Sequence, residues 1–324
     1  MAMGRLAYVF PGQGSQSVGM GRDLADNFAV ARQVFEEADD VLGFALSRLC
    51  FEGPAEALQL TENTQPAILT VSIAALRTLE AEGAPAPAFV AGHSLGEYSA
   101  LVAAGAMDFA SALRIVRARG RYMQEAVPVG VGAMAAILGA SLETVEEACR
   151  EVSEDGVCAP ANINSPSQIV IAGHAKAVER AIEVLRARGA KRAVRLPVSA
   201  PFHCELMRPA AERLARDLEA VKFNDLATPL VTNVDAAIVR RGAEAREALV
   251  RQVAAPVRWR ESVALLEREG VEVFVEIGPG KVLSGLIRQT IERARTLNAE
   301  DARSLRATLD GLIGSGSLTT AHPH

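Results

Sequence analysis

Residues 92–96 read Gly-His-Ser-Leu-Gly and stand between a short apolar run at 88–91 and a helix-like run that starts at Glu97. Gly-x-Ser-x-Gly between a strand and a helix is typical of a tight turn that exposes a serine hydroxyl at the top of a sheet. The turn is so sharp that the residues two before and two after the serine must be nearly free of side chain. We therefore expect Ser94 to accept an acyl group.

A serine hydroxyl becomes a good nucleophile only when a base takes its proton, and histidine is the usual base. Of the five histidines, two lie in the C-terminal tail and His174 opens a helix. His93 precedes the serine, and neighbours across a sharp turn point apart. His203 is the predicted base, since it lies in a loop that opens a helix and follows the serine in chain order, as in α/β-hydrolase-like sites. The alternative is a satisfied loop histidine.

An imidazole base needs a partner that fixes its tautomer and direction, and no acidic residue stands out for this purpose. A glutamine or backbone carbonyl is an alternative; Gln252 is one candidate, although its spacing predicts an exposed helix residue. An oxyanion needs N–H donors, and the backbone N–H of Leu95 is the first we expect. A second is predicted from the glycine-flanked loop at residues 10–16, which could equally be an ordinary turn.

Arg119 is the most informative side chain after Ser94. Wound at about 100° per residue, the predicted helix at 108–126 gathers its charged residues on one face, but Arg119 falls on the apolar face. A buried guanidinium without a partner costs several kcal/mol, so something anionic should meet it. The partner is either an internal carboxylate or the free acid of an acyl group, held in bidentate fashion.

The bulk composition excludes several classes of function. Hydrophobic residues make up 49% of the 324 residues, enough to bury a large core, while the net charge of −5 gives no reason to expect a nucleic-acid partner. No stretch approaches the length and apolarity of a membrane span, and the N-terminus lacks a signal-peptide core. The four cysteines have no paired metal spacing, so we expect a cytoplasmic protein with reduced thiols, no metal and no cofactor.

The order of the predicted elements indicates an α/β fold with an insertion. Residues 128–199 read strand-helix-strand-strand-helix-strand, the order of a ferredoxin-like unit. An α/β pattern precedes this segment and resumes after it, so we expect one larger, discontinuous domain from residues 1–127 and 200–295. The sequence is polar beyond residue 295, and we expect 296–324 to be a C-terminal extension that is mobile at its end.

Several short segments together point to one known family: residues 10–16, 92–98, 119–120, 123–128, 201–203, 256–259 and 276–283. In this order they are far more specific than any one motif. They resemble the malonyl-CoA:acyl carrier protein transacylases of bacterial fatty acid synthesis, over about residues 5–292.

The resemblance implies a role for each candidate. Ser94 would be the nucleophile and His203 its base. Arg119 would hold the malonyl carboxylate, and Gln13 with the Leu95 N–H would stabilise the oxyanion. The reaction would be ping-pong, with malonyl-CoA and an acyl carrier protein as partners and a malonyl-serine ester between them.

The resemblance also covers the residues around these groups. Gln252 would orient the base through its backbone carbonyl, and Met123 would lie just behind the reacting groups. Phe202, directly before the base, is similar to the pattern of relatives that take malonyl rather than methylmalonyl units, because a ring there would crowd an α-methyl group. The family fold is an α/β-hydrolase-like large domain with a ferredoxin-like small domain inserted.

Carrier proteins of this system are acidic, so a local basic patch is expected. The candidates are Lys191, Arg192, Lys281 and Arg288, each of which is otherwise an ordinary solvated charge. Three other functions stay open: a serine thioesterase or acyl hydrolase using the same serine and histidine, an acyltransferase of a polyketide pathway, and a non-enzymatic scaffold that binds carrier protein. A hydrolase that accepts a neutral acyl chain would leave Arg119 without an anionic partner. A scaffold without activity predicts damage to the nucleophile, the base or the oxyanion loop.

Overall fold

The computed structural model describes residues 5–198 and 200–313 and is a mixed α/β protein with two sheets. The strands are β1 Arg5–Phe10, β2 Phe89–Gly92, β3 Gly132–Leu138, β4 Cys158–Ser165, β5 Gln168–His174, β6 Arg192–Arg195, β7 Leu230–Val231, β8 Ile238–Val239, β9 Val271–Ile277 and β10 Arg295–Ala299. The helices are α1 Arg22–Asn27, α2 Ala29–Leu42, α3 Leu46–Glu52, α4 Ala55–Leu58, α5 Thr61–Ala81, α6 Gly96–Ala103, α7 Phe109–Glu125, α8 Leu142–Glu151, α9 Ala175–Ala187, α10 Arg208–Glu219, α11 Gly242–Gln252, α12 Trp259–Arg268, α13 Val282–Thr290 and α14 Ala302–Ile313.

The larger sheet has the strand order β10-β9-β1-β2-β7-β8 and is parallel except for β8. Its central strand β1 is buried at every residue after Arg5, as expected for a strand whose two faces are both covered by helices. One face packs on a large core that includes helices α5 to α7, and the other packs on α12 and α13. The carboxyl ends of β1, β2 and β9 meet at one edge.

The smaller sheet is antiparallel, with the strand order β4-β5-β3-β6. Alternate residues of β3 point to opposite faces, which is the period of a strand. Ala133, Ala135 and Ile137 pack on α8 and α9, while Met134 faces the core of the larger sheet. The small sheet therefore contributes side chains to the main body of the protein.

The expectation of a C-terminal extension from residue 296 is wrong as far as residue 313. Strand β10 pairs in parallel with β9 at the edge of the larger sheet, and α14 packs on the main core. The polar composition reflects an edge strand and an amphipathic helix, in which Leu305, Leu309 and Leu312 recur at helical spacing and are buried. The expected mobile end, at 314–324, lies outside the described residues.

Over the same described ranges, none of the helices is long and apolar enough to span a membrane.

Candidate active site

Ser94 stands on the turn between β2 and α6, with a positive φ of 52°. A Cβ added to Gly92 would overlap the backbone of Gly96, and one added to Gly96 would overlap the Phe10 carbonyl. Both glycines are required because the turn brings β1, β2 and α6 into backbone contact. Leu95 caps the N-terminus of α6, so its backbone N–H lies at the positive end of that helix.

Asn233 braces the turn from the loop after β7. Its Oδ1 accepts a hydrogen bond from Ser94 N (2.6 Å), and its Nδ2 donates to Gly92 O (2.6 Å). The side chain is fully buried. Asn233 therefore stabilises the positive-φ backbone conformation of the serine. This role was not predicted, because Asn233 is far from the serine in sequence.

His203 lies within hydrogen-bonding distance of the serine hydroxyl: its Nε2 is 2.7 Å from Ser94 Oγ. Its Nδ1 is 2.9 Å from the backbone carbonyl of Gln252, which is the contact that the resemblance implies. Because a carbonyl only accepts, Nδ1 carries the ring proton and Nε2 is left with its lone pair toward the hydroxyl. The ring is thus held in the tautomer that a general base requires.

Burial, and after it the positive charge of Arg119, lower the pKa of His203 from its ordinary 6.5 to about 3. The imidazole is therefore neutral at physiological pH and able to accept a proton.

Arg119 is 1% exposed, as its position on the apolar face of α7 predicts. Its Nη1 donates to Gln65 Oε1 (2.8 Å), and its Nη2 donates to Gln252 Oε1 (2.8 Å) and Ser94 Oγ (3.1 Å). No carboxylate in the described part of the chain forms an ion pair with it, and Nε has no partner there. The sequence left two possible partners for Arg119, and one of them, an internal carboxylate, is not found among these residues.

Gln252 is fully buried, so the expectation of an exposed helix residue is wrong. The C-terminal end of α11 lies against the serine turn, where the amide makes several hydrogen bonds: Nε2 donates to Glu97 Oε2 (2.8 Å) and to Ser94 O (3.0 Å). Glu97 is also fully buried, and burial raises the pKa of this carboxyl to about 7. Nothing in the sequence marks Glu97 or Gln65 as part of the site, because their partners are distant in sequence.

A cavity of about 120 Å³ opens on Ser94 Oγ. Seven of the predicted site residues line it, and Gln252 lies behind them. Two lining residues, Met134 and Asn162, come from the strands of the small sheet. The other lining residues are Gln13, Gln65, His93, Ser94, Leu95, Arg119, Met123, Leu196, Val198, Phe202 and His203.

Gln13 reaches the cavity because its loop runs tightly over the serine turn. A Cβ on Gly12 would overlap the backbone carbonyl of His93, so the close approach needs a glycine. The Gln13 amide is 3.4 Å from Thr61 Oγ1, which is a long hydrogen bond. Its side chain is therefore only weakly held by the protein.

Two of the four predicted basic residues are already bonded to neighbouring side chains. Lys281 forms an ion pair with Glu300 (3.1 Å), and Arg288 donates to Thr296 Oγ1 (2.5 Å). Lys191 and Arg192 are both exposed, at the start of β6. These two remain candidates for a contact with an acidic partner.

Together these groups can activate a hydroxyl, transfer its proton and hold an anion close to the reacting oxygen. Comparison with known families agrees with this chemistry, since the model described as "Acyl transferase domain" matches residues 7–308. The chain belongs to the acyl transferase family. No group of His, Cys, Asp or Glu in the described segments of this acyl transferase could hold a metal ion.

The relatives of this acyl transferase have more specific names. It is 49% identical to the malonyl CoA-acyl carrier protein transacylase of Escherichia coli K12, covering 95% of this chain and 100% of the relative. The Bacillus subtilis 168 protein of that name is also 49% identical, covering 96% and 98%.

Solved structures are equally similar. The acyl carrier protein S-malonyltransferase of Vibrio cholerae superposes with a TM-score of 0.92 at 48% identity, covering 94% of this chain and 99% of that one. A malonyl-transacylase in complex with its type II PKS acyl-carrier protein has a TM-score of 0.93 at 49% identity, covering 95% and 99%.

Proposed function

We propose that this acyl transferase moves a malonyl group from malonyl-CoA to the phosphopantetheine thiol of an acyl carrier protein, through a malonyl ester on Ser94. The observation that carries the choice of substrate is the position of Arg119, whose Nη2 is 3.1 Å from Ser94 Oγ while its other acceptors are neutral amides. An acyl group attached at Oγ with a carboxylate at its far end would be met by this cation.

In the first half-reaction, His203 Nε2 takes the hydroxyl proton as Ser94 Oγ attacks the thioester carbon. The tetrahedral intermediate collapses, the carbon–sulfur bond breaks, and His203 returns the proton to the CoA thiolate. The neutral imidazole at rest, set by burial and by Arg119, supports this direction of proton flow.

In the second half-reaction, the phosphopantetheine thiol gives its proton to His203 and its sulfur attacks the malonyl ester carbon. The ester C–O bond breaks, and Ser94 Oγ recovers the proton. Water must not compete, and the small volume of the cavity, about 120 Å³, supports its exclusion.

The oxyanion formed in each half-reaction is stabilised by the backbone N–H of Leu95 together with Gln13. Support for Leu95 comes from its place at the N-terminus of α6, directly after the serine. Support for Gln13 comes from its loop, which runs against the serine turn at Gly12. The N–H of Ser94 is already bonded to Asn233, so it is not a free donor.

Phe202 and Met123 restrict the acyl group. Phe202 is 8% exposed, Met123 is 2% exposed, and both line the cavity. A ring next to the base would crowd an α-methyl branch, so the proposal includes preference for malonyl over methylmalonyl units. Lys191 and Arg192 are proposed to contact the acidic carrier protein, because neither is tied to a neighbouring carboxylate in the described structure.

The proposal includes an α/β-hydrolase-like large domain with an inserted ferredoxin-like small domain at residues 128–199. Support for the insertion comes from the small sheet's order β4-β5-β3-β6 with α8 and α9 on one face. The large domain takes in residues 5–127 and 200–313, since β10 joins its sheet. We also propose a cytoplasmic location, which the four free thiols support.

The decisive experiment incubates the protein with malonyl-CoA, with and without a purified carrier protein bearing phosphopantetheine. We expect malonyl-carrier protein as the product and little free malonate. Release of free malonate at the same rate without carrier protein would instead indicate a thioesterase. An acyltransferase of a polyketide pathway remains the second candidate, because a relative that binds a type II PKS carrier protein is as similar as the Escherichia coli enzyme. Parallel assays with carrier proteins of both kinds separate the two.

A further inference from the structure

Glu97 lies beneath the active site and does not line its cavity. The carboxylate is fully buried on the first turn of α6. Its Oε2 accepts hydrogen bonds from Gln252 Nε2 (2.8 Å) and from Asn233 N (3.1 Å), whereas Oε1 has no partner among the described residues. An ionisable group in such a place is expensive, so its retention calls for a physical reason.

The reason is found in the amide of Gln252, which has two different ends. The amide nitrogen faces Glu97 Oε2 and Ser94 O, and the second of these is a carbonyl that can only accept. The amide oxygen faces Arg119 Nη2, which can only donate. A reversed amide would place two N–H donors against the guanidinium and leave the carboxylate facing an oxygen.

We propose that Glu97 is a positioning residue that acts through Gln252: it fixes the direction of the Gln252 amide and thereby holds Arg119 in place for the substrate carboxylate. This inference rests on the proposed function, because it assigns the support of the same anion site. The chain of contacts runs from Glu97 Oε2 through Gln252 Nε2 and Oε1 to Arg119 Nη2, with 2.8 Å at each hydrogen bond.

The spacing by an amide matters for the chemistry. A carboxylate in direct contact with Arg119 would compete with the substrate for the same N–H groups. With the amide between them, the guanidinium is held by a neutral acceptor and keeps its full charge for an arriving anion. Glu97 therefore supports the cation without neutralising it at the site where the acyl group arrives.

The test compares malonyl-CoA with acetyl-CoA, since only the first has a carboxylate for Arg119. In Glu97→Leu, which removes the acceptor, we expect kcat/KM for malonyl transfer to fall at least about tenfold more than that for acetyl transfer. Glu97→Gln should keep most of the malonyl preference, because an amide oxygen can still accept from Gln252 Nε2. An equal loss with both donors would overturn the proposal.

Glu97→Asp is the second variant, for use should the leucine variant fail to fold. It keeps the charge but withdraws the acceptor from Gln252 by one methylene, so we expect the same selective loss of malonyl transfer. An unchanged ratio of malonyl to acetyl transfer in a folded Glu97→Asp protein would also overturn the proposal.

Glu276 offers a matched control, because it is a second fully buried glutamate, bonded to Leu283 N and Ser284 N at the start of α13. Glu276→Leu should lower the free energy of unfolding without changing the malonyl to acetyl ratio.

Arg119→Ala separates this inference from the proposed function. A lost malonyl preference in Arg119→Ala with an unchanged ratio in Glu97→Leu would refute only the role of Glu97. An unchanged ratio in Arg119→Ala would refute the carboxylate site itself.

Discussion

The guanidinium of Arg119 donates from Nη2 to the hydroxyl oxygen of Ser94 over 3.1 Å. The same hydroxyl is 2.7 Å from His203 Nε2, so one oxygen lies between a fixed cation and a neutral base. This arrangement lowers the cost of forming an alkoxide at Oγ and places an anion receptor within one short acyl group of it. Under the proposed function, substrate choice and nucleophile activation therefore depend on the same guanidinium.

Arg119→Ala should remove the anion receptor. The variant could no longer donate two charge-assisted hydrogen bonds, of about 1.5 to 3 kcal/mol each, to the malonyl carboxylate. We therefore expect kcat/KM for malonyl-CoA to fall about a hundredfold or more. Acetyl transfer should fall much less. Arg119→Lys is the control, since it keeps the charge but not the planar fork. Malonyl transfer at the full rate in Arg119→Ala would refute the receptor.

Ser94→Ala should abolish the covalent intermediate. With wild-type protein and malonyl-CoA, intact-mass measurement should show one added malonyl group, and peptide mapping should locate it on Ser94. The alanine variant should show none. A malonyl adduct that persists in Ser94→Ala would assign the nucleophile to another residue.

The low pKa of His203 predicts an unusual pH profile. Because burial and Arg119 lower this pKa from 6.5 to about 3, the imidazole stays neutral well below pH 6.5, and no loss of activity should centre on that value. Arg119→Ala should move the acid limb to higher pH, because a neighbouring cation is removed. The measurement is kcat/KM for acetyl-CoA, a donor whose acyl group carries no charge, across the acid range. A wild-type acid limb near 6.5 would contradict the assignment.

Gly92→Ala should damage both folding and catalysis. Its new methyl group would overlap the backbone of Gly96, so we expect a loss of about 1 to 3 kcal/mol or more in the free energy of unfolding. Gly285→Ala is the matched control, because that glycine lies inside α13 with no atom near its Cβ position, and the change should stabilise by about 0.5 to 1 kcal/mol. Urea unfolding and malonyl transfer are measured on both. A Gly92→Ala protein of normal stability would show that the turn can relax.

The buried carboxyl of Glu97 predicts a pH-dependent stability. Because its folded-state pKa is raised from 4.5 to about 7, the unfolded chain binds fewer protons between these values. The contribution of this carboxyl to the free energy of unfolding should therefore be highest below pH 4.5 and should fall by about 3 kcal/mol as the pH rises to about 7. Urea unfolding between these pH values should show the free energy of unfolding of wild type falling relative to that of Glu97→Gln as the pH rises. A constant difference would place the pKa near its ordinary value.

Much of the candidate site was predictable because its signals are local. The turn around Ser94 follows from two glycines, and the burial of Arg119 follows from helical periodicity. His203 followed by elimination among few histidines. The first two inferences use only neighbouring residues, and the third uses only the small number of histidines in the chain.

Most of the supporting contacts were not predictable, because they join distant segments. Asn233 approaches the serine turn only after the larger sheet has formed. Gln252 was named through the family resemblance, but nothing in its own segment marks it as buried. Gln65 likewise reads as one polar residue of the long helix α5. The strand β10 was missed for a different reason, since an edge strand and an amphipathic helix are polar enough to resemble a tail.

The place of β1 between β2 and β9 has a consequence for how the protein folds. Strand β1 is synthesised long before one of its two neighbours, β9, which ends at Ile277. The central pairing therefore closes a very long loop, which predicts slow folding for a chain of this size. A nascent chain that stops before β9 would present the bare edge of β1, and chaperone binding would matter most at that stage of synthesis.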